Sequence, residues 1–166
     1  MTCGKMVLAV AAAAALAGCN GKTETVSPQP PAPVAKVDRI LMHVVPVALN
    51  WDGQPGPDGL GLAMQLYQYA RPLPVTGTGS IEFTMYEGVV RGANLASARP
   101  FRTWLFTPRD LEGLLACSAA GWGYSIRLGW GKRPPTTSSV TLLARYTPPA
   151  GPPVATAPVV IPVRAP

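Results

Sequence analysis

The residues able to do covalent or acid–base chemistry are few in this chain. There are three cysteines, Cys3, Cys19 and Cys117, and a single histidine, His43. Nucleophilic catalysis of the Ser-His-Asp or Cys-His kind needs an imidazole hydrogen-bonded to the nucleophile. His43 lies inside an apolar run and reads as a hydrogen-bonded sheet residue. One histidine and so few thiols are also too few donors for a zinc site within one chain. Glu82, Glu87, Asp110 and Glu112 show no spacing of a carboxylate pair suited to glycoside hydrolysis. No catalytic residue is expected.

Binding chemistry has two weaker candidates. Asn50, Asp52 and Asp58, with loop carbonyls, could gather oxygens around Ca2+, which takes 6–8 such ligands. The loop lacks the EF-hand spacing and its terminal Glu, and turn formation explains the same residues, because Pro presets one φ while Asn, Asp and Gly accept the next conformations. Trp104, Trp122, Tyr124 and Trp130 could line a face on which sugar rings stack, although aromatic residues alternating along strands ordinarily fill a core. Cys117, within Leu114-Leu115-Ala116-Cys117, reads as a small buried hydrophobe.

The segment that positions Cys19 is more informative. Residues 1–18 carry one basic residue, Lys5, then an apolar stretch ending in small side chains, the layout of an export signal and too short for a permanent span. The closing Leu16, Ala17, Gly18 and Cys19 resemble the bacterial lipobox at all four of its positions. That resemblance implies cleavage before Cys19 and diacylglycerol on its thiol, usually with a further acyl chain on its amine. Two or more chains suffice for stable anchoring. Asn20 follows where, under the sorting rule of such lipoproteins, Asp would retain the protein at the inner membrane, so the outer membrane is expected. With Cys3 removed and Cys19 lipidated, Cys117 has no intramolecular partner.

Residues 19–36 form the expected tether. The stretch 20–36 holds four prolines and no apolar periodicity, and at about 3.1 Å per residue it could hold a domain roughly 50 Å from the lipid. Residues 37–166 form the expected domain. With 48% apolar residues, 13% charged residues, 20 Pro and 17 Gly, it has material for a core and a great many turns. That combination favours short strands over long helices.

Strands are expected at 37–49, 60–69, 80–87, 101–106, 124–130, 140–146 and 159–161. The alternation is plainest in Ile81, Phe83 and Met85, which should face inward while Glu82 and Thr84 face out. Likewise Leu60, Leu62, Met64 and Leu66 share a face, as do Tyr124, Ile126, Leu128 and Trp130, and Val140, Leu142, Ala144 and Tyr146. Thr107-Pro108-Arg109-Asp110 supplies an N-cap, a proline at the first helical position and an acid at N3, which predicts one short helix over 107–118. Pro162 confines the last strand to an edge or a sheet end. The expected fold is an all-β, seven-stranded antiparallel β-sandwich with that helix at one end.

Removing Lys5 from the 14 basic residues leaves an excess of about five over the 8 acids. Arg91, Arg99, Arg102, Arg127, Lys132, Arg133 and Arg145 all fall in the second half. If several share a face they could meet anionic lipid heads, lipopolysaccharide or an acidic partner. Nucleic acid is not an expected partner of an exported protein.

Several stretches together resemble an uncharacterised family of lipoproteins, chiefly of planctomycete-type bacteria: Trp51-Asp52-Gly53-Gln54-Pro55-Gly56-Pro57-Asp58-Gly59-Leu60, residues 79–88, Arg102-Thr103-Trp104-Leu105-Phe106, Gly121-Trp122-Gly123-Tyr124 and Ala144-Arg145-Tyr146-Thr147-Pro148-Pro149. The resemblance implies export and a β fold and supplies no catalytic residue. The stretch 49–68 is also similar to the small outer-membrane lipoprotein of type VI secretion machines, a tethered β-sandwich that acts in assembly. The expected function is therefore that of a lipid-anchored envelope protein, non-enzymatic, binding or assembling with an unknown envelope partner. The alternatives are a calcium- or carbohydrate-binding surface lipoprotein and a component of a secretion machine like that of type VI secretion, with an envelope hydrolase more distant.

Overall fold

The structure is a computed structural model that describes residues 29–92 and 94–163. The expected signal segment, the cleavage box Leu16 to Cys19 and the first part of the tether lie outside the described residues. Nine strands and two short helices follow in the order β1 (Arg39–Val44), β2 (Gly59–Tyr67), β3 (Ser80–Glu87), α1 (Asn94–Ser97), β4 (Arg102–Phe106), α2 (Pro108–Glu112), β5 (Leu115–Ser118), β6 (Gly121–Gly129), β7 (Ser139–Thr147), β8 (Val154–Ala155) and β9 (Val159–Pro162). Among the described residues no helix is long and apolar enough to cross a membrane.

The strands form two antiparallel sheets, an all-β sandwich. One runs β1-β2-β6-β5; the other runs β4-β3-β7-β8, with β9 also paired to β7. The inward faces are those expected from alternation. Leu60, Met64 and Leu66 of β2, Ile126 and Leu128 of β6, Ile81, Phe83 and Met85 of β3, and Val140, Leu142, Ala144 and Tyr146 of β7 all lie in the core. Because the side-chain period in a strand is two, a slip of one residue would turn each of these sets to water, so burial of one face fixes the register.

β8 and β9 together act as one edge strand. Tyr146 faces Val154 and Arg145 faces Ala155, yet Leu142 faces Val159, so the outer chain carries one extra residue between the two pairings. That is a β-bulge, and Pro158, which has no N–H for the ladder, falls within it. Thr156 holds the bulge to β7, its backbone N–H donating to the Ala144 carbonyl at 2.9 Å and its hydroxyl accepting from the Ala144 N–H at 3.1 Å. Pro162 ends this edge opposite Ser139.

Three expectations require correction. The described residues hold nine strands, because β5 and the divided edge were not separately legible. The helix expected over 107–118 spans only Pro108–Glu112. Its start is as expected: Thr107 caps it in a reciprocal capping box with Asp110, and Pro108 opens it. Leu115 to Ser118 instead pair with Tyr124 to Gly121 as β5, because closing a hairpin on the edge of β6 satisfies four residues of backbone that a further helical turn would leave at the surface. Gly121, at φ +96°, makes the turn into β6, a conformation that glycine adopts without steric cost. Finally, the last part of the expected tether packs on the domain. Val34 donates to the Thr76 carbonyl at 2.8 Å, Thr76 donates to the Pro31 carbonyl at 2.8 Å, and Val34 packs against the core. The apolar Val34 and Val37 have surface to bury, which the prolines around them do not.

Two tyrosines fasten the segment between β2 and β3. Gly77 donates its N–H to Tyr124 Oη at 3.1 Å, and Gly79 donates to Tyr146 Oη at 2.8 Å. A Cβ at Gly79 would meet the Tyr146 ring at 2.7 Å and the Thr147 carbonyl more closely still, so glycine is required by close approach. Burial pushes both phenols above their ordinary pKa, opposed in each case by the glycine hydrogen bond.

Candidate functional site

Strand direction defines two poles. β1 starts and β2 ends at the pole where residues 29–36 lie; β2 starts, and β3 and β6 end, at the other. β2, β6 and β7 are nine residues long, so about 30 Å separates the poles at the usual rise of roughly 3.3 Å per residue.

The far pole holds a cleft of about 560 Å³. Its walls come from the end of β3 (Tyr86, Glu87), the chain leading into β4 (Arg99, Phe101), the first residue of β4 (Arg102) and the loop between β6 and β7 (Arg133). The connection from β3 to β4 is folded onto the sheet by Val90, whose N–H donates to Thr141 Oγ1 at 2.9 Å, and by Phe101, whose N–H donates to the Met85 carbonyl at 2.8 Å. Those bonds bring Arg99 beside the strand ends.

Three guanidinium groups therefore face one opening with a single carboxylate. Glu87 is already engaged, accepting from the Thr136 N–H at 2.7 Å and from its hydroxyl at 3.0 Å. Arg102 is oriented from behind: it donates to the Gly129 carbonyl at 3.3 Å and sits 6.0 Å from the centre of the Trp104 ring. Among the described residues the one ion pair is Lys36 with Asp38, at 3.2 Å and at the opposite pole. The cleft arginines are thus without a carboxylate partner. Planar, permanently charged guanidiniums suit carboxylate or phosphate oxygens, and the rings of Tyr86 and Phe101 give the cleft an apolar side.

The residues singled out from the sequence are distributed differently. The side chains of Asn50, Asp52 and Asp58 are turned onto their own loop. Asp58 accepts from the N–H groups of Trp51 at 2.7 Å and Asp52 at 3.1 Å. Asp52 accepts from Gln54 at 2.8 Å and Asn50 from Gly53 at 2.9 Å, while the Asn50 amide donates to the carbonyls of Gln54 and Gly56. Among the described residues no group of three or more His, Cys, Asp or Glu side chains converges as a metal site would require.

Nor do the four aromatics share a face. Trp130 is buried, its indole donating to the Pro57 carbonyl at 2.7 Å. Trp104 lies near it, donating to the Gly129 carbonyl at 3.1 Å. Tyr124 is buried toward the opposite pole, and Trp122 is half-buried at that pole. Alternation had placed them on inward faces, but a shared flat platform for a sugar would need them adjacent.

His43 and Cys117 are both exposed; His43 is a sheet residue as expected, on the outer face of β1, whereas the reading of Cys117 as a buried thiol is corrected. β1 turns Ile40 into the core and leaves Leu41 and His43 on the outer face. Cys117 lies near the end of the edge strand β5, opposite Trp122, where none of the described residues covers it.

Comparison of the chain with models of known protein families, with curated proteins and with solved structures gives no match. Sequence reasoning had noted the arginines as a scattered set. Arg102 and Arg133 are joined only by the two sheets, and no local pattern marks the pairing.

Proposed function

We propose that this chain is a lipid-anchored, non-enzymatic binding module of the bacterial cell envelope, held on the outer membrane through Cys19, that takes an acidic partner in its arginine cleft. The cleft carries the binding half of the proposal: Arg99, Arg102 and Arg133 line it with one carboxylate, Glu87, and none of the three is in an ion pair among the described residues. Unpaired like charges in a concave site repel each other, and an anion relieves that repulsion. Position supports the same reading. The cleft opens about 30 Å from the tethered pole by strand length, so it faces away from the membrane carrying the lipid and toward other envelope components. The lipobox resemblance carries the anchoring half, and the likeness to the planctomycete-type lipoproteins agrees with it.

Two measurements test the proposal. An alkyne fatty acid should tag the wild type and not Cys19→Ser; a tag that survives the substitution refutes the anchor. A photo-crosslinking residue placed at Val90, which lines the cleft, should capture an acidic envelope component in cells. Arg99→Glu with Arg133→Glu should abolish that adduct. Capture that is indifferent to charge reversal refutes the binding half.

A further inference from the structure

The tethered pole carries a second unusual surface. Tyr69 and Leu73 are 84% and 70% exposed, the largest exposures among the big apolar side chains of the described residues. Leu73 belongs to an open groove of about 470 Å³ that it shares with Arg71, Trp122, Gln29 and Pro31.

The loop presenting these side chains is held in place. Tyr69 donates its N–H to Asp38 at 3.1 Å, and Arg71 donates to the Gln68 carbonyl at 3.0 Å. Pro72 and Pro74 flank Leu73 and restrict its backbone. Pro74 is buried close to Gly121, where an added Cβ would meet its ring at 3.0 Å. Val75 is buried and bonded to the Leu66 carbonyl at 2.8 Å. Leu73 is thus presented to solvent by a loop pinned immediately after it, at Pro74 and Val75.

We propose that this pole is a membrane-resting surface, with Tyr69, Leu73 and Trp122 lying in the headgroup layer of the bilayer that holds the Cys19 lipid and Arg71 directed at lipid phosphate. The inference rests on the lipid-anchor reading. Chain length argues for this occupant over others. Gln29 lines the groove and is ten positions from Cys19, so even a fully extended connection holds the groove within about 35 Å of the lipid, and a coil holds it within about half that. At such a separation the bilayer is presented at high effective concentration, and weak interfacial affinity suffices. The composition is also that of an interface: amphipathic Trp and Tyr rings favour the headgroup level, and an arginine beside them matches phosphate.

The test uses the lipidated full chain reconstituted in vesicles of phosphatidylethanolamine and phosphatidylglycerol carrying a headgroup nitroxide. Tryptophan fluorescence should be quenched, and Trp122→Phe should lose most of that quenching, because Trp51, Trp104 and Trp130 belong to the far pole. Leu73→Glu, a change at an exposed position, should reduce quenching with all four tryptophans retained. A wild type that carries the fatty-acid tag and shows no quenching, or equal quenching in wild type and Trp122→Phe, overturns the resting surface and leaves the anchor standing. Absence of the tag overturns both. Recovery of a protein bound to this pole, with unquenched Trp122, overturns the bilayer as its occupant.

Discussion

Tyr146→Phe isolates one hydroxyl that is buried in the core and fastens the end of the β2–β3 connection to β7. The substitution keeps the ring and removes the acceptor of the Gly79 N–H, which lies at 2.8 Å in a buried setting. An orphaned buried donor costs about 1–3 kcal/mol, and for a domain of this size each kcal/mol lowers Tm by about 4 °C. A loss of roughly 4–12 °C is expected at neutral pH. The pH dependence gives a second, independent signature. Burial raises the Tyr146 pKa above the unfolded value of 10.0. Above that value the unfolded chain releases the proton that the folded chain still holds, so stability contributed by the neutral phenol is present below pH 10.0 and declines as pH rises through the folded pKa. The phenylalanine variant lacks this loss. Urea denaturation followed by tryptophan fluorescence, at neutral pH and near pH 11, should therefore show the gap between the two proteins narrowing in alkali. An unchanged or widening gap, or a variant as stable as wild type at neutral pH, would refute the account of this hydrogen bond.

Thr107→Ala should destabilise by about 0.5–2 kcal/mol through loss of the N-cap, measured by chemical denaturation. The hydroxyl and then the backbone N–H of Thr107 hold the Asp110 carboxyl below its ordinary 3.8. This contribution is present above pH 3.8 and declines as pH falls through the lowered value, so the variant's penalty should shrink in acid. Cys117 should react with a maleimide in the native protein without denaturant, since it is exposed; protection lifted only by unfolding would contradict its position. Calcium should leave Tm unchanged, because Asp58 Oδ2, Asp52 Oδ1 and Asn50 Oδ1 are turned onto loop N–H groups; a rise with the ion would show native-state binding.

Much of the sandwich was legible because half-buried strands write themselves into sequence with period two. Ile81, Phe83 and Met85, or Val140, Leu142, Ala144 and Tyr146, could be assigned to the core from alternation, and each is fully buried. The Thr107 cap was equally legible, because its chemistry is complete within four residues. The segment after it was misread for the same reason: Leu114 to Cys117 has apolar residues compatible with a helix, and pairing with Tyr124 to Gly121 is a fact about another segment. Exposure of Cys117 and His43 follows from sheet position, and local apolar surroundings in sequence do not report it.

The candidate site divides along the same line. Local chemistry sufficed for the turn-forming roles of Asn50, Asp52 and Asp58, which bond within their own loop. The arginine cleft was decided by tertiary structure alone. Arg99 and Arg102 reach it through a connection folded onto β3, and Arg133 through the loop that joins one sheet to the other. Charges meet according to distance in space, and in an antiparallel sandwich strand order sets that distance, which sequence separation does not encode.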